Sequence, residues 1–338
     1  MELDKTFRFT SVSGRVAPTP SPASNLLGPL GILSGTWKGQ GFNQIWRPFH
    51  PGAGDPPGQD RFLELNQTLE TLQFDEIPGD IPNRGLFAQP DINLHGLRYL
   101  QQVQDAIVLG PNGELAGIHV EPGIWLAVPP TTANPVEPTT VARLANIPHG
   151  VSLVAQGAAL PPISGPPPIP PISIAPFPIN TPPPPDNTIT PPTFPERNLS
   201  TPTNFRTDLG DVPNVTQEIV DNPNKILELG LQGKTVISTI TLNISTLLPN
   251  PLPPPNAPPP PPPPPPSNGG GISNIAFLLG AGNNPNAATF QMDATFWIET
   301  LQEPDGKIKH QLQYSQRVLL NFNTLSWPHV SVATLIKQ

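Results

Sequence analysis

Apolar residues recur at every second position in stretch after stretch of this chain, and almost nowhere at helical spacing. Successive side chains of a strand point to opposite faces, so this period predicts sheet. The segments are Gly31–Trp46, Phe62–Phe74, Asn93–Val103, Gly117–Val128, Thr140–Ile147, Val151–Ala158, Val236–Thr246, Ile272–Leu279, Phe290–Glu299, Gln311–Asn323 and Ser326–Gln338. Roughly ten half-polar strands with short connections predict an all-β fold: one antiparallel sheet closed into a barrel, which also removes unpaired edges. A β-sandwich is the competing architecture. The glycines of Gly35, Gly39 and Gly41 predict a first strand that bends hard or lets another group approach closely. In Phe62–Phe74 the apolar alternation changes register midway, as a bulge would make it do. Ser24 is a candidate N-cap for a short helical turn before Gly31, and Val212–Asn222 has no decisive period.

Proline divides the rest. The chain has 54 prolines in 338 residues, far above ordinary usage of ~5%. They concentrate in 161–202 and 249–271, the second holding the unbroken run Pro258–Pro266. Proline cannot donate to a sheet ladder, so these are insertions, extended in part. Ile169, Ile172 and Phe177 give the first insertion an apolar side with which to lie on the barrel wall. Residues 1–23 are a polar arm, and 24–338 form one barrel domain interrupted twice. A polyproline run is also a ligand for SH3-like or WW-like modules, but in barrel loops a spacer role is the better expectation.

The net charge is −8, charged residues make up only 12%, and no basic stripe occurs, which speaks against nucleic acid as partner. Cysteine is absent, so there is no disulfide framework, thiol nucleophile or iron–sulfur ligation. No apolar stretch approaches the ~20 residues that span a bilayer, and Met1–Lys5 does not open a signal peptide. The expectation is a cytoplasmic protein.

The last strand carries the chemistry. Alternation puts Trp327, His329, Ser331, Ala333 and Leu335 on one face, with Val330, Val332, Thr334 and Ile336 on the other. One imidazole followed by small residues leaves room for a flat ligand, and neutral imidazole is a common iron ligand. His119 and Glu121, two apart on a strand, share a face and form a candidate acid/base or structural pair. His149 sits in the turn Pro148–His149–Gly150 and is a candidate distal group, or an exposed turn residue. Lys38 and Arg317 are candidate partners for acidic ligand groups, or solvated charges.

Four strings in order give a resemblance. They are Gly35-Thr36-Trp37-Lys38-Gly39-Gln40-Gly41, Ile118-His119-Val120-Glu121-Pro122-Gly123-Ile124-Trp125, Ala145-Asn146-Ile147-Pro148-His149-Gly150, and Trp327-Pro328-His329-Val330-Ser331-Val332-Ala333-Thr334-Leu335. Together these resemble the nitrobindin family of calycin-type barrels. The resemblance implies haem b held by a histidine of the closing strand, with nitric oxide, peroxynitrite or peroxide handled at ferric iron. It implies His329 as the metal ligand and places Thr36 and Trp37 at the family's barrel-wall positions; with Ser331, over which the flat ligand would lie, these are the candidate cofactor-binding residues. Whether such a centre would turn over as a peroxynitrite isomerase or peroxidase-like enzyme stays open. The family barrel is about half this length and lacks the proline insertions; Leu126 and His149 also depart from its pattern. A barrel that carries an apolar ligand such as a fatty acid, without iron, is the alternative.

Overall fold

The structure is a computed structural model that describes residues 26–133, 136–179, 194–247, 270–281 and 284–338. Fourteen strands occur among these residues. In chain order they are β1 Gly35–Pro48, β2 Arg61–Glu76, β3 Ile81–Asn83, β4 Ile92–Leu109, β5 Leu115–Val128, β6 Thr140–Ile147, β7 Val151–Ala159, β8 Ile163–Ser164, β9 Phe177–Pro178, β10 Thr235–Ser245, β11 Gly271–Asn274, β12 Ala288–Gln302, β13 Ile308–Phe322 and β14 Leu325–Lys337. Ten of them close an antiparallel ring in the order β1-β2-β4-β5-β6-β7-β10-β12-β13-β14, with β14 pairing back onto β1. The seam between β7 and β10 is short, from Leu242 opposite Ala159 to Ser245 opposite Gln156. The four small strands pair outside the ring, and β11 and β8 extend the sheet where β7 and β10 part.

The barrel has two cores, one on each side of its wall. The interior core holds Trp37, Leu72, Phe74, Trp125, Leu242, Phe296, Leu312 and Leu335, and the 3-10 turn Gly28–Leu33 plugs one end with Leu30 and Leu33. Trp37 donates from its indole N–H to the Leu33 carbonyl at 2.7 Å, so the plug is hydrogen-bonded as well as packed. The outer core lies between the wall and the first proline-rich excursion. Phe42, Trp46, Leu63, Leu65, Trp297, Val330 and Val332 face outward and meet Ile174, Val212, Ile219, Val220 and Leu227. Fully burying each such side chain stabilises the fold by roughly 1.5–3 kcal/mol. The proline segment has few N–H groups but a full set of carbonyls, and one donor from the wall and one from the start of the helix Lys225–Leu231 satisfy two of them. Trp46 donates to the Ile174 carbonyl at 2.9 Å, and Asn224 to that of Pro170 at 2.7 Å.

This second core explains several departures from the sequence reading. No bulge interrupts the β1–β2 register. Leu63 and Leu65 point outward and Leu72 and Phe74 inward, so the strand changes which face is apolar because both faces find a core. Trp327 does not share the environment of His329: it stacks on Phe322 at 4.7 Å and packs beside Trp46 and Phe194 in the outer core. The glycines of β1 make room for neighbouring chain. A Cβ at Gly39 would lie 2.0 Å from the Thr334 carbonyl oxygen, and one at Gly41 2.5 Å from that of Val332. Val212–Asn222 ends in a helix, α1 Gln217–Asp221, capped by Thr216, and α2 Lys225–Leu231 follows; both cover the outer face of the wall. Ile272–Leu279 divides into β11 and a short helix, α3 Ala276–Leu279. The arm 1–23, the Ser24 cap and the Pro258–Pro266 run lie outside the described residues. No helix among the described residues is long and apolar enough to cross a membrane.

Candidate functional site

Register stacks the interior in layers from the plugged end to the opposite mouth. Trp37 pairs with Lys337 at the floor, and His329 pairs with Ile45 of β1 and Val318 of β13 at the mouth. Eight residues of strand separate the two, about 26 Å at ~3.3 Å per residue. Ser331, Ala333 and Leu335 descend from His329 on the same inward face, with Ala333 and Leu335 in the interior core.

The middle layer is polar and buried. On β5, Glu121 accepts from the Tyr99 hydroxyl of β4 and from the Arg143 guanidinium of β6. Arg143 also donates to the Tyr99 hydroxyl at 2.9 Å and to Gln316 at 2.7 Å, and stacks over Phe296. A second group lies beside the first. Glu70 accepts from Tyr314 at 2.7 Å, Thr68 at 2.9 Å and Gln101 at 3.2 Å. A Cβ at Gly123 would lie 2.5 Å from the Tyr99 ring, which gives that glycine of the His-Val-Glu-Pro-Gly string a packing reason. The two carboxylates are shifted in opposite directions. Burial pushes both up, but the adjacent Arg143 charge, with bonds from His119 and Tyr99, outweighs burial at Glu121 and holds it at about 2. Glu70 has only neutral donors, and burial raises it. Burial also raises Tyr99 and Tyr314, so both phenols stay protonated as donors.

Three imidazoles occupy the mouth. His119 stands two residues before Glu121 on β5, with its Nε2 3.4 Å from the Glu121 carboxylate. His149, in the β6–β7 turn, is solvent-exposed, and its ring centre lies 5.9 Å from that of His119. His329 is half-buried, and its Nε2 lies 3.3 Å from the Ser331 hydroxyl. Burial, followed by the fields of His119 and His149, lowers His329 to about 3. It is therefore a neutral imidazole at any ordinary pH, the form that ligates metal. Burial and His119 also lower His149.

The structure thus gathers His329, Ser331, His119 and His149 at one end. Trp37 sits at the other end, and Thr36 falls on the outward-facing set of β1, opposite Gln73. Lys38 is exposed, and Arg317 pairs with Asp293 at 3.5 Å. Arg143, Tyr99, Glu70 and Tyr314 were not singled out by sequence. Their signal is present: Arg143 interrupts the inward series Val141, Arg143, Ala145, and Glu70 the series Glu70, Leu72, Phe74. Among the described residues, no group of three or more His, Asp or Glu side chains is arranged to hold a metal ion.

No family model matches this sequence, and no curated protein matches it. Among solved structures the chain is similar to the crystal structure of Rv2717c from M. tuberculosis, at 14% identity and a TM-score of 0.37 over 94% of this chain and 98% of that one. A score of that size adds nothing to the barrel described above.

Proposed function

We propose that this protein binds haem b at the mouth of the barrel, with His329 as its axial ligand. The observation that carries the reading is the state of His329: inward-facing, neutral, and followed on its face by the small side chains of Ser331 and Ala333. The mouth offers no multi-residue metal cluster among its described residues, so iron there would rest on one protein ligand and the porphyrin. Trp37 and Thr36 have no part in this version of the site, because strand register puts Trp37 at the floor and Thr36 on the outer face. When bound, the haem supplies an iron position open to a small ligand such as nitric oxide, peroxynitrite or peroxide.

The chain's own groups do the rest. Ser331 hydrogen-bonds the His329 ring and steers its orientation. Glu121, ionised beside Arg143, holds His119 by its Nε2 and fixes the ring's orientation. His119 is thereby the mouth's anchored acid–base group, and the exposed His149 connects it to solvent. The apolar-carrier reading is weaker, because charged and phenolic side chains fill the middle of the barrel where an acyl chain would run. A cytoplasmic location and a haem partner belong to the same proposal.

Hemin added to the purified full chain should give a sharp Soret band that saturates at one equivalent. His329→Ala should lose that band while keeping its far-UV circular dichroism, and imidazole in the buffer should restore it. His149→Ala should still bind hemin. A ligated spectrum in His329→Ala without imidazole removes the assignment.

A further inference from the structure

A cavity opens at the same end of the barrel, away from the histidines. It has a volume of about 720 Å³ and lies between the β11–α3 segment and the adjoining ends of β12 and β13. Ile179, Ile272, Leu279, Pro285 and Phe290 supply its apolar walls, and none of its described lining residues is charged. His119, His149 and His329 do not line it. The size falls within the ~300–1,000 Å³ of small-molecule sites.

Two features point to an occupant. Leu279 and Phe290 are each 53% exposed, so large apolar side chains stand in water around the opening. Inside, most polar groups are already engaged. Asn274 donates to the Thr289 carbonyl at 2.8 Å and accepts from the Thr289 N–H at 2.8 Å, which ties β11 to β12. Asn321 is different. It is 8% exposed, and its side-chain oxygen accepts from Ser326 at 2.8 Å, while its amide nitrogen finds no acceptor among the described residues. That nitrogen is not fully enclosed, and on the lining of the cleft it is a donor free to meet a ligand acceptor.

We propose that this cleft is a binding site for an uncharged, largely apolar small molecule that bears a hydrogen-bond acceptor such as a carbonyl, received by the side-chain amide of Asn321. The absence of charge among the described lining residues disfavours carboxylates and ammonium groups, which would lose their hydration without compensation. The site is separate from the one assigned to haem, and does not depend on it.

Prodan, an uncharged fluorescent naphthyl ketone, is a suitable probe for the full-length protein. Its emission should shift to the blue and saturate, with a Kd of about 100 μM or tighter for a ligand of that size. Leu279→Arg, at an exposed position that the fold does not need, should weaken binding by about ten-fold or more. Asn321→Leu should weaken it about five-fold, the share of one neutral hydrogen bond. Saturating hemin should leave the probe bound. Absence of saturable binding, wild-type affinity in Leu279→Arg, or stoichiometric displacement by hemin would each overturn the proposal. The hemin titration of His329→Ala is read at the Soret band, so failure of either site is seen separately.

Discussion

Replacing Arg143 by methionine would leave Glu121 in the middle of the barrel without its buried cationic partner, held only by Tyr99 and His119. Both side chains are almost fully buried, at 2% and 1% exposure. In the native protein the Glu121 carboxyl is held at about 2 against an ordinary 4.5, a difference worth about 3 kcal/mol. Because the folded value lies below the unfolded one, this stability is present above pH 4.5 and is lost as pH falls towards 2. In Arg143→Met the sign reverses. Burial, the first cause acting on Glu121, then raises its carboxyl above the unfolded value, so the folded state is penalised at neutral pH and relieved on acidification. The expected loss is about 3–5 kcal/mol at pH 7, shrinking by pH 5. Urea unfolding followed by tryptophan fluorescence at the two pH values measures both. The double variant Arg143→Met with Glu121→Gln should recover most of the loss, since no charge remains to be buried. A loss under about 1 kcal/mol, or one that does not change with pH, would refute the reasoning.

Other perturbations separate the two cores from the mouth. Ile174→Ala should cost about 2–5 kcal/mol by opening a void in the outer core, yet leave hemin affinity unchanged when measured on folded protein. Tyr314→Phe removes a donor from the buried Glu70 and should cost about 1–3 kcal/mol in urea unfolding. His329 resists protonation when folded, so the unfolded chain takes up a proton that the folded one refuses between about pH 6.5 and 3. Stability should therefore fall with pH across that window, and His329→Gln should flatten this part of the profile.

Much of the wall was legible because strand period is local. Met292, Ala294, Phe296 and Ile298 alternate in the sequence and stand together inside the barrel. What misled was the assumption of a single core. Leu63, Leu65 and Trp327 are apolar for the sake of the covering layer, whose partners lie more than a hundred residues away in sequence. No local pattern announces such a layer; only the isoleucines among the prolines hinted at it. The candidate site was visible in part. His119, His149, Ser331 and His329 were picked out by type and spacing, and the fold brings them to one mouth. The lowered basicity of His329 was not readable, because it depends on burial and on His119 and His149, which the fold brings from distant parts of the chain. The placement of Trp37 at the far end follows from strand register, which the string of residues around it does not encode.

The account of function turns on whether one imidazole of the closing strand touches iron. Resonance Raman spectroscopy of the ferrous haem complex reads that bond directly as an iron–histidine stretch. The account predicts the stretch in the wild type, its loss in His329→Gly, and its return at a shifted frequency when imidazole is added. The same stretch in His329→Gly without imidazole, at the wild-type frequency, would contradict it.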